Sequence, residues 1–339
     1  MAERNFKESF KFYKARFPAP DLSEVLDVDN ASEETCSPFK AQTSGSNPFP
    51  LILKPPDKWL CYEVNNRPGL IFIRNPFTAL GQRYWVVRSV RDYPQAPNVV
   101  NLIPKKFEKE VIDDWWRAFR SAKDPKFREN LKASMRWATL GYHHDWDTKV
   151  YSESMKNVFP TDLREMTKFF AKALGYGKYS AEAAIVNFYP LGTTLSGHTD
   201  HSEADLDAPL FSFSFGQKAI FLIGGPTKEE PATALFLRSG DVVVMSKQSR
   251  LCYHAVPRVM KDCLEPWKNL GESSTTVCEK DEVEQPNCKK MKEETSDLLA
   301  ELLDDCRDDS FWKPFQSYLE TTRININIRQ VLKDGQTSL

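Results

Sequence analysis

The sequence has no long hydrophobic run, no closely spaced cysteine pair and no internal repeat. No stretch approaches the ~18 apolar residues that a membrane-spanning helix needs, so we expect no membrane-bound form. The seven cysteines are odd in number and include no C-x-x-C, which favours free thiols in a reducing compartment over a disulfide scaffold or a zinc ribbon. Residues 1–17 are basic and aromatic but contain two glutamates, which makes them a poor secretory signal. We therefore predict that the protein is not secreted.

Net charge is close to zero, but the two signs of charge are unevenly distributed. The formal net charge is -1, whereas residues 262–310 contain 15 acidic and 6 basic side chains. That interval is polar and poor in aromatic residues, so we predict an acidic insert at about 261–310 that is disordered or loosely packed, with one helix at Ser296–Cys306. The remaining residues are mildly basic, which is compatible with a polyanionic partner such as a nucleic acid.

The apolar pattern divides the chain into three regions. Residues 1–58 are predicted to form a helix followed by a linker rich in Pro, Ser, Asn and Asp. Residues 59–180 contain a strand-like segment and two segments with helical spacing, KEVIDDWWRAFRSA and TDLREMTKFFAKALGYG. Residues 181–332 consist of short strands separated by turns, among them PLFSFSFG, in which phenylalanine alternates with serine. The pattern predicts an α+β protein whose C-terminal region is a β-sandwich or jelly roll.

A histidine and an aspartate, His198 and Asp200, follow a turn rich in Gly, Thr and Ser. Residues i and i+2 of a strand face the same side, so both side chains can point into one cavity. His254 comes 54 residues after Asp200, with enough strands between them to bring the chain back beside the first. Two histidines and one carboxylate on one face of a metal match the facial triad of non-haem Fe(II) oxygenases. A zinc hydrolase could use the same residues, and H-x-D alone is also common as a polar strand end.

The segment TRININIRQV has two faces of opposite character. Arg323, Asn325, Asn327 and Arg329 share one parity, and isoleucines occupy the other. Such a strand could be an ordinary amphipathic edge strand whose polar face meets solvent. If the polar face points inward, it needs anionic partners, because an unpaired buried arginine is costly. A dicarboxylate would fit there, with one carboxylate on an arginine and its other end on the metal.

Taken in order, these segments resemble the motifs of the AlkB-like family of Fe(II)/2-oxoglutarate dioxygenases. The matching segments lie within residues 185–332 and are NFYPLGTTLSGHTDHSE, LFSFSFGQKAIFLIGG, SGDVVVMS, YHAVPRV and RININIRQ. The flanking segments RPGLIFIRNPF, PNVVNL and RWATLGYHHDWDTKVY resemble the first animal branch of that family, so the resemblance extends over nearly the whole chain. Each motif alone is weak, but their common order makes the resemblance specific.

The resemblance implies a double-stranded β-helix (jelly roll) with flanking helices, and a nucleotide-recognition region at 59–180. It implies an enzyme that needs Fe(II), 2-oxoglutarate and O₂. The implied metal ligands, which are also the catalytic residues, are His198, Asp200 and His254. The implied 2-oxoglutarate contacts, which leave open which arginine makes the bidentate pair, are Asn187, Tyr189, Arg323, Asn325 and Arg329. The implied base contacts, which could instead be core aromatics, are Trp137, Tyr142 and Trp146.

The activity that the resemblance implies is oxidative demethylation of methylated bases in DNA or RNA, with release of formaldehyde, succinate and CO₂. The associated substrates are N6-methyladenine in DNA and methylated bases in tRNA, presented as single-stranded, bulged or flipped nucleotides. The resemblance also implies a role in DNA repair and action in the nucleus, the mitochondrion or the cytoplasm. We expect a monomer. Two alternatives stay open: a protein (histone) lysine demethylase using the same chemistry, and a non-catalytic nucleic-acid-binding module.

Overall fold

The protein is described by a computed structural model over residues 4–43, 47–270 and 299–339. The strands of these residues are β1 (Cys36–Phe39), β2 (Leu60–Val64), β3 (Leu70–Arg74), β4 (Val99–Val100), β5 (Trp137–Gly141), β6 (Ala183–Pro190), β7 (Leu195–His198), β8 (Leu210–Gly216), β9 (Lys218–Ile223), β10 (Thr233–Leu237), β11 (Val242–Met245), β12 (His254–Met260) and β13 (Thr322–Arg329). They form two antiparallel sheets. The larger sheet has the order β1-β2-β3-β11-β8-β13-β6-β5-β4, and the smaller has the order β10-β9-β12-β7.

Helices surround these sheets. They are α1 (Phe6–Lys14), α2 (Ala79–Val87), α3 (Lys109–Asp113), α4 (Trp115–Ser121), α5 (Pro125–Ser134), α6 (Thr161–Ala173), α7 (residues 299–307) and α8 (Asp309–Leu319). A π-type turn at Arg88–Asp92 continues α2. Within the described ranges, every helix is too short or too polar to cross a lipid bilayer.

The larger sheet is buried on both faces. On its outer face, Ile324, Ile326 and Ile328 of β13 belong to a core that also contains residues of α2, α4, α6 and α8. On its inner face, a second apolar cluster joins Phe72 of β3 to Ile223 of β9, which belongs to the smaller sheet. The fold is therefore α+β, with a two-sheet jelly-roll core and flanking helices, as the sequence predicts.

Helix α1 covers the outer face of the smaller sheet. Asn5 and Glu8 form a capping box at its start, and Phe6 is buried among residues of β9, β10 and β12. A Cβ added at Gly197 or Gly224 would lie 2.4 or 2.8 Å from the Phe6 ring, so both glycines permit the close approach of this ring. Because Gly197 directly precedes His198, α1 supports the strand that carries a predicted metal ligand.

The larger sheet crosses the boundaries of the regions that the sequence analysis defined. β3 pairs with β11, and β5 pairs with β6, so strands from before residue 180 are interleaved with strands from after it. The division into an N-terminal helix and linker, a recognition region and a core stays a prediction.

The two described ends of the predicted acidic insert are packed against the body of the protein. Trp267 and the α7 residue Cys306 are both buried in the main core. The guanidinium of Arg83 donates hydrogen bonds to their main-chain carbonyls, at 2.9 and 3.1 Å. The prediction of loose packing is therefore wrong at these two ends, where a buried arginine joins them. The part of the predicted insert at 271–298 lies outside the described residues.

The buried ring of His143 lies just after the end of β5 and forms two side-chain hydrogen bonds. Its Nδ1 lies 2.8 Å from Thr139 Oγ1, and its Nε2 lies 2.8 Å from the side-chain nitrogen of Asn157. An amide nitrogen only donates, so Nε2 accepts and the ring is neutral. Burial lowers the pKa of His143 below its ordinary value of 6.5.

We predict that the free energy of unfolding falls as the pH is lowered through 6.5, the ordinary pKa of His143. Below that pH the unfolded chain binds a proton that the folded, buried ring does not, so protonation favours unfolding down to the lowered pKa of the folded state. The measurement is urea unfolding of the wild type and of His143→Gln between about pH 7.5 and about pH 5. His144 and His254 act in the same direction, so the difference between the two proteins isolates His143. The variant should lose less stability with acid, and equal losses would contradict a buried neutral His143.

Candidate functional site

A cavity of about 320 Å³ lies between the two sheets and is lined by two of the three predicted metal ligands, His198 and Asp200. The larger sheet contributes Asn187 from β6 and Arg329 from β13, and the smaller sheet contributes His198 from β7. The segment after β5 contributes His144 and Trp146. Because both sheets and a connecting segment line it, the cavity depends on the packing of the whole core.

The structure brings His198, Asp200 and His254 together. One possible ligand atom from each lies within 4.8 Å of the others, and no other such group of three is found among the described residues. His254 and His198 are directly paired between β12 and β7. β7 ends at His198, however, so Asp200 lies in an irregular loop and not on a continuous strand. The grouping agrees with the prediction, whereas the strand-parity argument for Asp200 was wrong.

The two histidine rings are oriented so that one nitrogen of each remains for a metal. The Nδ1 atoms of His198 and His254 lie 2.9 and 3.2 Å from the carbonyls of Ser196 and Cys252. A carbonyl only accepts, so each Nδ1 carries the proton and each Nε2 is left as a possible ligand. Burial, followed by the neighbouring His198, lowers the pKa of His254 to about 4.

The carboxyl group of Asp200 is mostly buried and has a lowered pKa. Burial raises the pKa of its carboxyl group, but Arg329, the two histidines and Arg250 together outweigh burial and hold this pKa well below its ordinary value. The Oδ2 atom lies 3.0 Å from Arg329 Nη2 and 3.6 Å from His254 Nε2. A carboxylate and the Nε2 atoms of two imidazoles thus face one point, which is a donor set that suits Fe(II).

The polar face of β13 points inward. Arg323, Asn325 and Arg329 are each at most 5% exposed. Arg323 Nη2 donates to Ser214 Oγ at 2.9 Å, while its Nε and Nη1 have no hydrogen-bond partner. Burial lowers the pKa of Arg323 to about 10. A buried guanidinium with two donor atoms that no described residue accepts from is suited to bind an anion.

The other predicted co-substrate residues surround Arg323 unequally. The Tyr189 hydroxyl is buried without a hydrogen-bond partner, and the Arg323 guanidinium lies 5.5 Å from the centre of the Tyr189 ring. Asn187 lines the cavity. The side-chain nitrogen of Asn325 already donates to Ser212 Oγ and the Phe213 carbonyl of β8. Tyr189 and Asn187 are therefore available to a ligand, whereas Asn325 fixes β13 to its neighbour.

The predicted base-facing aromatics do not act as one group. Trp146 lines the cavity and is 48% exposed, and its ring centre lies 5.3 Å from that of Trp137. Tyr142 is only 1% exposed and belongs to a separate buried cluster with Tyr151. Its hydroxyl is held by Glu153 and Lys156. Tyr142 is not among the residues that line the cavity, so its assignment to base contact stays a prediction that the structure does not support.

Two buried charged residues beside Asp200 were missed by the sequence analysis. Glu203 pairs with Arg329 and with Arg250, and Arg250 also donates to the main-chain carbonyl of Asp200. Glu203 ends the same HTDHSE stretch, and Arg250 precedes His254 by four residues. Proximity to ligand positions was the available signal, but single charges in a sequence are more often solvated.

The chain is similar to known proteins over almost its whole length. Residues 74–329 match the family described as the 2OG-Fe(II) oxygenase superfamily. A mouse protein named nucleic acid dioxygenase ALKBH1 is 38% identical over an alignment of 358 positions, which covers 98% of this chain and 85% of the mouse protein. An Arabidopsis thaliana protein named DNA N(6)-methyladenine demethylase ALKBH1A is 31% identical, with coverage of 97% and 94%. A Schizosaccharomyces pombe protein named tRNA demethylase abh1 is 34% identical, with coverage of 75% and 85%.

Asp200→Ala is expected to reduce the binding of a divalent metal below detection while the fold is retained. Only two imidazoles would remain to hold a dication. The positive charge of Arg329 beside the site would also lose the Asp200 carboxylate that balances it. The measurement is titration with Mn(II) followed by electron paramagnetic resonance, with a thermal melt as the fold check. Asp207→Ala, an exposed change in the same loop, is the matched control. Wild-type affinity in Asp200→Ala would remove Asp200 from the ligand set.

Proposed function

Because the chain belongs to the 2OG-Fe(II) oxygenase superfamily and, within it, to the AlkB-like family, we propose that it demethylates methylated bases in DNA or RNA. It is an enzyme whose cofactor is Fe(II) and whose co-substrates are 2-oxoglutarate and O₂. The proposed products are the unmodified base, formaldehyde, succinate and CO₂. The observation that carries the proposal is the presence, between the same two sheets, of a three-ligand cluster and an arginine with idle donors.

His198, Asp200 and His254 are proposed to hold Fe(II) through the two Nε2 atoms and the Asp200 carboxylate. When bound, Fe(II) supplies the activation of O₂ that the removal of hydrogen from a methyl group requires. Arg329 keeps Asp200 ionised, as the lowered pKa of that carboxyl shows. The backbone carbonyls of Ser196 and Cys252 fix the ring orientations of the two histidines.

Arg323, and not Arg329, is proposed to make the bidentate contact with 2-oxoglutarate. Arg329 already directs Nε to Glu203 and Nη2 to Asp200, at 3.1 and 3.0 Å. Arg323 has two donors free, and the Tyr189 hydroxyl beside it is free as well. A carboxylate placed between them would satisfy three buried polar atoms at once.

The proposed substrates are N6-methyladenine in DNA and methylated bases in tRNA. Support comes from the names of the Arabidopsis and S. pombe relatives, each of which is more than 30% identical to this chain. A methylated base would enter the cavity past Trp146, whose exposed ring can stack on it, with Trp137 behind. Exposed basic residues before β5 are proposed to hold phosphates: Lys105, Lys106, Arg117 and Arg120.

Other functions fit the site less well. A zinc hydrolase gives no reason to bury an arginine with idle donors on the strand opposite the metal ligands. A non-catalytic binding module gives no reason to keep a complete set of three metal ligands together. A protein lysine demethylase would use the same chemistry. Comparing turnover on methylated oligonucleotides and methylated peptides distinguishes it from a nucleic-acid demethylase. A monomeric state, a role in DNA repair, and action in the nucleus, mitochondrion or cytoplasm are proposed on the family resemblance.

Arg323→Met is expected to weaken 2-oxoglutarate binding by about one to two decades, because a charge-assisted hydrogen bond contributes roughly 1.5–3 kcal/mol. The same change should leave the ligand-free protein as stable as the wild type or more so, since it removes a buried cation whose donors are idle. Binding is measured by calorimetry with Mn(II) present, and stability by thermal melting. Arg238→Met, which removes an arginine paired with Asp27, is the control and should lower stability without affecting binding. An unchanged dissociation constant in Arg323→Met would refute this assignment.

The enzyme should prefer an unpaired or flipped nucleotide to one stacked in a regular duplex. The metal ligands line a cavity between sheets, and extrusion of a paired base costs a few kcal/mol, least at bulges and single strands. The experiment follows formaldehyde release from one N6-methyladenine oligonucleotide as single strand, bulged duplex and perfect duplex at fixed salt. Trp146→Ala should lower turnover on all three, whereas Phe17→Ala, another exposed aromatic change, should not. Equal or faster turnover on the perfect duplex contradicts entry by flipping.

A further inference from the structure

Glu203 and Arg250 are a buried ion pair that neither binds the metal nor contacts the idle donors of Arg323. Their side chains are 1% and 2% exposed, and Arg250 Nη2 lies 3.0 Å from Glu203 Oε2. A pair of charges removed from water is not by itself stabilising, because desolvation offsets much of the attraction. The contacts that this ion pair makes with neighbouring residues therefore indicate its role.

The pair completes a closed ring of contacts around Asp200. Arg329 joins Glu203 Oε1 to the Asp200 carboxylate, through Nε at 3.1 Å and Nη2 at 3.0 Å. Arg250 joins Glu203 Oε2 to the Asp200 main-chain carbonyl, through Nη2 at 3.0 Å and Nη1 at 2.6 Å. The side chain and the main chain of Asp200 are therefore both held through Glu203.

Arg250 also fastens the loop on which Asp200 lies. Residues 199–209 contain no helix or strand, so the sheet hydrogen bonds that position His198 and His254 are absent at Asp200. Besides its contact with the Asp200 carbonyl, Arg250 donates from Nε to the carbonyl of Ala208 at 2.9 Å. Since Arg250 precedes β12 by only a few residues, it ties the Asp200 loop to the strand that begins with His254.

The ring is balanced in charge, with two guanidinium groups and two carboxylates. Removing one member leaves an uncompensated charge in a buried place beside the metal ligands. A lysine at position 250 would keep the charge but lose the planar fork that reaches three acceptors. These properties make it possible to separate the charge of the ring from its geometry.

We propose that Glu203 and Arg250 are positioning residues for Asp200, which they hold in the orientation that lets its carboxylate share a metal with His198 and His254. The inference rests on the proposed function, because it presupposes the metal at this triad. It adds that the third ligand, which lies outside regular structure, is placed by this ring and not by the sheet.

The test is the affinity of the full-length protein for Mn(II), measured by electron paramagnetic resonance in Glu203→Gln and in Arg250→Lys. Each change should weaken Mn(II) binding by about 10- to 100-fold, the usual cost of removing a group that orients a metal ligand. The matched control is Arg238→Lys. Arg238 is another mostly buried arginine, and it is paired with the carboxylate of Asp27 outside this site. It should bind Mn(II) like the wild type.

The double variant Glu203→Gln/Arg250→Met separates positioning from charge balance, because it removes one charge of each sign. We expect its melting temperature to exceed that of Arg250→Met alone, while its Mn(II) affinity stays low. Wild-type affinity in any folded variant of the ring, or an equal loss in Arg238→Lys, overturns the inference. Variants that all lose a cooperative melt also overturn it, since the ring would then serve the fold. A wild-type protein that binds no Mn(II) overturns the proposed function instead.

Discussion

Strand β13 is buried on both faces, although one of those faces carries two arginines. Its isoleucines are enclosed by the helices of the main core, and its arginines face the smaller sheet. A buried cation must find acceptors, so the neighbouring strands carry polar atoms on the same face, such as Ser212 and Ser214 of β8 and Tyr189 of β6. The requirement to satisfy these charges explains why a polar layer divides two apolar clusters in the centre of the protein.

The two arginines are satisfied differently, and this difference defines the site. Arg329 is held by Asp200 and Glu203, so it belongs to the group that fixes the metal ligands. Among the described residues, Arg323 donates only to Ser214, and its Nε and Nη1 have no acceptor, so an anionic ligand can bind there. A dicarboxylate that chelates a metal with its other end meets both conditions. The alternation of β13 therefore links the main core, which its isoleucines enter, to the site between the sheets, which its arginines face.

Sequence alone predicted those features that depend on strand alternation or on the order of motifs. The meeting of His198 with His254 is of this kind. For β13, sequence alone separated a polar face from an apolar one but left open whether the polar face points inward, as the structure shows that it does. Sequence alone failed where the backbone leaves regular structure. Asp200 is the example, because β7 ends at His198 and the alternation of a strand no longer applies two residues later.

Lone buried side chains were also hidden from the sequence. Trp267 lies in a polar segment, and Glu203 and Arg250 are charged residues of types that are mostly exposed to solvent. Only tertiary contacts show that they are buried.

If the β13 face and the metal ligands form one site, 2-oxoglutarate and a divalent metal must each strengthen the binding of the other by the same factor. The most direct measurement is the dissociation constant of 2-oxoglutarate with and without saturating Mn(II), and of Mn(II) with and without saturating 2-oxoglutarate. We expect the two factors to be equal and well above one. Independent binding of 2-oxoglutarate and Mn(II) would contradict a single site.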